Sequence, residues 1–340
     1  MTALKAPFPW FGGKSRVAHI VWPRLGDVHH YVDPFAGSLA VLLQRPAWHE
    51  RAVETINDLD GHICNVWRSI HLQPDATAEW ADWPVSEIDL HSRHAWLVER
   101  TPSLEADLRA DPEYCDPKAA GWWMWGISCW IGSGWCSGGR EHTRPDIACA
   151  GKGVHTAKTR SHLSNAGKGV HKSGKRPHLN APMGVRKMQG DSLRSWFGAL
   201  SERLRRVRVC NGDWSRVVTF AASLFERNAS WPCGVLLDPP YDQEMRDRGC
   251  YAVDKPGLSA DVREWCLANA DNTRYRIALC GYEGEHDLPG WECVEWKASG
   301  GYGSQGDTRG RENAARERIW FSPHCLNPER QGMLFEEVTT

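Results

Sequence analysis

The sequence predicts an α/β fold built on a mostly parallel sheet, and three observations carry that prediction. Short apolar runs end repeatedly in acids at turns: Tyr31-Val32-Asp33-Pro34, Val53 to Asp60, and Val235-Leu236-Leu237-Asp238. A continuous apolar run bounded by turn residues is what a strand buried on both faces looks like. Stretches of helical period lie between these runs, as in Leu193, Trp196, Phe197, Leu200 and Leu204.

Bulk composition narrows the function classes. The 340 residues carry a formal net charge of -1, so any nucleic-acid partner has to be sought in local charge. The 12 cysteines contain no Cys-x-x-Cys pair, which argues against a zinc ribbon and for reduced thiols in a cytoplasmic protein. Met1 to Trp10 lacks the apolar core of a signal peptide and no membrane-length apolar run follows, so neither membrane nor metal is expected.

The stretch that organises the chain is Val235 to Tyr241. Two prolines stop the strand and keep the residue before them out of the helical region, which presents Asp238 at a rigid carboxyl edge. Ligands of open α/β sheets bind at that edge. Asp238, the carbonyls of Pro239 and Pro240, and the Tyr241 ring make a small polar pocket with a flat face; a plain turn after a core strand is the alternative.

Earlier in the chain, Pro7 to Lys14 pairs rigid aromatics with a Gly-Gly turn where backbone can approach a ligand. Tyr31 to Ser38 followed by Leu39, Val41, Leu42 and Leu43 reads as strand, tight turn and helix, a first cofactor-binding βα unit. Val53 to Asp60 is a second strand ending in acids, and Asp58 is placed where such units bind ribose hydroxyls; capping of the next helix by Asn57 or Asp58 is the competing role. Helices broken at Pro74, Pro84, Pro102 and Pro112 suggest an inserted lobe, followed by the tryptophan-rich helix Ala119 to Ile131, a stripe that reads as core.

The glycine loop after it carries Trp135 and Arg140, a composition suited to distorted nucleic acid. From Arg140 to Gln189 there are eleven Lys or Arg against Glu141 and Asp146, with a repeat of period sixteen that places Lys152 and Arg160 in register with Lys168 and Arg176. These cations among glycines suggest an arm that tracks phosphates, with a solvated linker as the alternative. The histidines there lack metal-ligand spacing. The helix from Asp191, the strand Val207 to Cys210 with Asp213 at its end, the helix Val217 to Phe225, the helix from Ser259, the strand Ile277 to Cys280 and a terminal antiparallel pair, Trp291 to Trp296 with Arg318 to Ser322, complete the alternation; the charged stretch through Arg246, Arg248 and Tyr251 reads as a lid.

The order aromatic-Gly-Gly-Lys, Asp-Pro-Phe-Ala-Gly-Ser, Asn-Asp, long insertion, Gly-Asp-Trp and Asp-Pro-Pro-Tyr resembles the Dam-like DNA adenine-N6 methyltransferases, in particular phage and prophage members, from about Pro7 to Ser322. The resemblance implies a Rossmann-like methyltransferase sheet from 1–65 and 190–325, an inserted and mainly helical target-recognition domain at 66–189 with its basic arm at 140–189, and a peripheral tail at 326–340. It also implies S-adenosylmethionine as cofactor and double-stranded DNA as partner, with a homodimer left open. Trp10, Phe11, Gly13 and Lys14 would border the methionine end, Asp33, Phe35, Gly37 and Ser38 would line the cofactor turn, and Asp213 would lie near the adenine or amino group. Leu39 stands where the family turn has its second glycine.

Chemistry agrees with this assignment of Asp238. An adenine amino group is a weak nucleophile, and accepting its two hydrogens on the Asp238 carboxylate and the Pro239 carbonyl would free electron density toward the methyl group. Tyr241 would stack on the extruded base. Cytosine-N4 methylation and a catalytically silent DNA-binding scaffold are the alternatives.

Overall fold

The computed structural model describes residues 4–10, 14–46, 52–130, 135–136, 155–156, 159–160, 191–219, 231–242, 255–296 and 315–328. Its centre is a seven-stranded sheet. The strands are β1 (His30–Asp33), β2 (Val53–Asp58), β5 (Val207–Asn211), β6 (Cys233–Leu237), β7 (Tyr275–Tyr282), β8 (Glu292–Glu295) and β9 (Glu317–Phe321), in the order β5-β2-β1-β6-β7-β9-β8. The first five are parallel, and β9 runs antiparallel between β7 and β8. The terminal antiparallel pair read from the sequence is present, with its second strand on the inside. Backbone of the basic segment is described only in the antiparallel dipeptides β3 (His155–Thr156) and β4 (Thr159–Arg160).

Alternate side chains of the strands enter two separate cores, which is how a sheet covered on both faces is built. Tyr31, Leu236, Ala278 and Cys280 join one core with α1 (Ala18–Leu25), α2 (Gly61–Leu72) and α6 (Asp191–Leu204). Val32, Val235, Leu237, Ile277 and Leu279 join the other, with the helical turn α7 (215–219) and α8 (Leu258–Ala268). The chain leaves β1 toward β2 and β5 on one side, whereas β6 and β7 lie on the other. The reversal falls between β1 and β6, so Asp33 and the residues after Leu237 meet at a topological switch point.

Three further helices, α3 (Pro74–Ala81), α4 (Glu87–Ala110) and α5 (Pro117–Cys129), form a layer on α2 and α6 and share the first core. Proline fixes a φ suited to a first helical turn, and Pro74 and Pro117 occupy such positions. Pro102 does not break the chain as its sequence context predicts. It lies inside α4, where Leu97, Leu104 and Leu108 are buried on both sides of it and the Thr101 hydroxyl donates to the Leu97 carbonyl at 3.0 Å. The packing of one apolar stripe outweighs the one rung that a proline removes.

Two other expectations are corrected. Among the described residues no α-helix follows the first acidic turn, which is succeeded by a 3-10 turn at Leu42–Gln44. Leu39 adopts φ 55, the conformation a glycine would supply, which interrupts a helix start while its side chain is fully buried. Trp135 is a core residue rather than a surface aromatic. It is 8% exposed, its indole donates to the Trp123 carbonyl at 3.1 Å, and its ring occupies the space that the missing side chain of Gly126 leaves. A loop tryptophan with a glycine slot and a carbonyl acceptor beside it buries its large apolar area there.

Glu54 of β2 is completely buried and bridges Arg45 at 3.0 Å and Arg203 of α6 at 2.6 Å. Removing one member of a buried ionic cluster leaves its partners uncompensated. Glu54→Ala is expected to destabilise the protein by about 3–5 kcal/mol in urea unfolding.

Candidate active site

The acids that end the parallel strands converge on one edge. Asp33 closes β1, Asp58 closes β2, Asp213 follows β5 and Asp238 follows β6. They border two adjoining compartments that share Trp10, Phe35 and Asp238 in their walls. The larger one is lined by Asn57, Asp58, Leu59, Gly212, Asp213 and Trp214, together with Pro240 and Lys255. The smaller one reaches Lys14, Asp33 and Ser38. The acid-ended strands of the sequence thus do share a site.

Local geometry fixes the walls. Gly37 has φ 45, and a Cβ there would lie 2.4 Å from Trp10 Nε1, so only glycine admits the indole so close to the turn. Trp67 Nε1 donates to the Gly37 carbonyl at 2.9 Å, which anchors the turn from the core side. Phe35 stacks on Trp214 with centroids 6.0 Å apart. Asp60 caps α2 by accepting from the His62 amide at 2.8 Å, in place of the Asn57 or Asp58 that the sequence offered. The Asp58 carboxylate instead accepts from the amides of Gly37 and Asp60, both at 3.0 Å, and is held at the rim of the larger compartment. Asn57 Nδ2 ties the Pro34 and Gly212 carbonyls together at 3.0 Å each, which holds the β1 and β5 turns on either side of it. Leu59, next to Asp58, is 44% exposed and offers an apolar face in the cavity.

Electrostatics distinguish the acids. Burial, followed by repulsion from Asp238, pushes the Asp33 carboxyl up to about 8, although the Tyr31 hydroxyl donates to it at 3.3 Å. Its second oxygen, Oδ1, is buried without a partner among the described residues. Burial and the neighbouring Asp60 push Asp58 up to about 7, against the lowering effect of the Asp60, Gly37 and Leu59 amides. Asp213 is exposed, and the Ser215 hydroxyl and amide beside it lower its carboxyl.

Asp238 is held differently. Its Oδ1 lies 3.0 Å from Lys14 Nζ and 3.3 Å from the Tyr241 hydroxyl, whereas no hydrogen bond engages Oδ2 among the described residues. Burial lowers the Lys14 ammonium, but Asp238 and Glu317 outweigh it and raise its pKa, so the lysine stays charged. Glu317, on β9, lies 3.8 Å from that ammonium, and Trp296 and Tyr241 present ring faces to it at 5.4 and 5.2 Å. Tyr241 is 7% exposed and lines neither compartment: its ring meets Tyr282 edge-on at 4.6 Å and its hydroxyl points into the Lys14–Glu317 cluster. The chain just beyond it is pinned by Glu285, which accepts from the Asp242 amide, the Ser259 hydroxyl and the Tyr282 amide.

Of the other residues singled out from sequence, Pro239 is buried, and Phe11, Gly13, Arg140, Lys152, Lys168 and Arg176 lie outside the described residues, as do the stretch through Arg246, Arg248 and Tyr251 and the side chain of Arg160. Glu317, Lys255 and Leu59 belong to the site and carry no motif; an acid between two arginines on a late strand gives no local signal. Among the described residues no group of histidine, cysteine and acid side chains could hold a metal ion, and no helix is long and apolar enough to cross a membrane.

The raised Asp33 carboxyl has a linkage consequence. Its folded pKa of about 8 lies above its ordinary 3.8, so its stabilising contribution is complete below about pH 4 and is lost as pH rises toward 8. Asp33→Asn is expected to flatten that part of the stability–pH curve, and a protonated-carboxyl infrared band that disappears near pH 8 in the parent is expected to be missing from the variant. No protein-family model matches the chain, and no curated protein matches it in sequence.

Proposed function

We propose that the chain is an S-adenosylmethionine-dependent DNA methyltransferase that acts on the N6 amino group of adenine. The observation that carries this reading is the half-engaged Asp238 carboxylate, with Oδ1 fixed by Lys14 and Oδ2 left over at the junction of two compartments.

The side chains present fit the cofactor. An orphaned, buried carboxylate oxygen on Asp33 suits an ammonium group, since a buried acceptor without a partner is costly until a donor reaches it. The Asp58 carboxylate, oriented by two amides, suits a pair of hydroxyls, as at the ribose of a Rossmann-like site. Leu59 and the Phe35–Trp214 pair supply the apolar faces that a purine needs. The mostly parallel sheet, with its switch between β1 and β6, is compatible with the Rossmann-like fold that the order of motifs implies. When bound, S-adenosylmethionine supplies an electrophilic methyl group on a positively charged sulfur.

The chain's own groups do the rest. Asp238 Oδ2 and the Pro239 carbonyl accept the two amino hydrogens of the target base, which localises the nitrogen lone pair for in-line attack. Proximity and orientation supply much of the acceleration, and Lys14 holds the carboxylate in place. The cation-rich segment 140–189 provides a sequence-independent attraction to the DNA backbone.

The test is methyl transfer from labelled S-adenosylmethionine to unmethylated duplex DNA, followed by digestion to nucleosides. N6-methyldeoxyadenosine is the expected product; N4-methyldeoxycytidine or unlabelled DNA would overturn the reading. Asp238→Ala is expected to lower kcat by about 10²–10³-fold, the scale of losing one preorganised hydrogen-bonding group, with cofactor affinity retained. Cofactor affinity measured by calorimetry is expected to rise from pH 6 to 8 as Asp58 and Asp33 ionise, and Asp33→Asn should lower the affinity and weaken that rise.

A further inference from the structure

The cluster behind Asp238 sets up a competition for one proton. The Tyr241 hydroxyl accepts from Lys14 Nζ at 2.8 Å and has a single proton of its own to donate. Two carboxylates are within its reach among the described residues: Glu317 Oε2 at 2.8 Å and Asp238 Oδ1 at 3.3 Å. The shorter contact takes the proton. Burial, Asp238 and Glu317 together push the Tyr241 hydroxyl well above the ordinary tyrosine range, so it remains a donor. Without an acceptor at position 317 the acceptor within reach of that proton among the described residues is Asp238, and a carboxylate that already accepts a phenol is a weaker acceptor for anything else.

The β7–β9 register places Glu317 for this task. Glu317 pairs with Tyr282, whose ring meets Tyr241 edge-on at 4.6 Å, so one rung of the ladder supplies both the contact for the tyrosine ring and the acceptor for its hydroxyl. Glu317 is 4% exposed, which removes water as a competing partner, and its 3.8 Å approach to Lys14 shares the ammonium between two acids.

We propose that Glu317 is a positioning residue for methyl transfer: it draws the Tyr241 proton away from Asp238 and thereby leaves the Asp238 carboxylate available to the target amine. The proposal rests on the reading that Asp238 accepts the hydrogens of that amine.

The experiment measures kcat for methyl transfer to unmethylated duplex DNA, and cofactor Kd by calorimetry, on the full chain and on Glu317→Met, Glu317→Gln, and Glu317→Met combined with Tyr241→Phe. Glu317→Met is expected to lower kcat about tenfold with cofactor Kd within about twofold, the scale of one misdirected hydrogen bond at a charged group. Adding Tyr241→Phe, which removes the proton but keeps the ring, is expected to recover at least about threefold of that loss. Glu317→Gln, whose amide oxygen accepts the same proton, is expected to keep at least about a third of kcat. A double variant no faster than Glu317→Met overturns the proposal, because a merely structural glutamate gives additive losses. Should Glu317→Met fail to fold, Glu317→Gln decides: retention supports the proposal, and a loss of about tenfold or more refutes it. A parent that methylates DNA without showing the rescue refutes the positioning role alone, whereas a parent that transfers no methyl group refutes the reading beneath it and the proposal together.

Discussion

A single buried ammonium holds the site together. Lys14 is enclosed by Asp238, Glu317, Tyr241 and Trp296, and these come from the amino-terminal strip, the turn after β6, β9 and the end of β8. Burying a lysine is unfavourable unless opposite charges surround it, and one partly exposed carboxylate would be a poor sole partner. A second acid solves the problem at the level of charge, and the sheet solves it at the level of position. Because β9 runs antiparallel, its first residue lies at the same edge as the last residues of the parallel strands. An antiparallel strand beside a parallel set is therefore what brings Glu317 to the site.

The remaining acids are graded by environment rather than by type. Asp33 is buried and half-satisfied, Asp58 is held by amides at a rim, and Asp213 is in solvent beside a serine. One residue type at the end of each strand thus yields carboxyls of different proton affinity along one edge, in the order that burial dictates. The aromatic floor has a similar logic. Trp10 comes close to the turn because residue 37 has no side chain, and the same turn tolerates Leu39 at φ 55 because the leucine side chain is fully buried below it. A left-handed leucine costs about 1–2 kcal/mol, comparable to what burying such a side chain contributes.

What was legible in the sequence was whatever repeats locally. The apolar run before Asp238 and the prolines after it define a strand end without reference to any other residue, and the same holds for Asp33 and Asp58. The period of Leu193, Phe197, Leu200 and Leu204 predicts α6, which starts at Asp191 as expected. What was hidden depends on contacts between distant residues. Trp135 reads as a loop aromatic until Gly126 is seen to leave it a slot, and Pro102 reads as a break until the leucines on either side are seen to be buried. Glu317 gives no sign at all, because its role is defined by a tyrosine and a lysine that no spacing connects to it.

The span of the Lys14 cluster also orders events during synthesis. Translation delivers Lys14 first, Asp238 and Tyr241 much later, and Glu317 near the end of the described chain. Until β9 has emerged, its place beside β7 is open, β8 lacks its ladder partner among the described strands, and the tyrosine hydroxyl is without its Glu317 acceptor. A ribosome-bound chain lacking β9 therefore holds every acid that ends a parallel strand but lacks the Glu317 acceptor. Completion of the sheet and completion of the Lys14 cluster coincide.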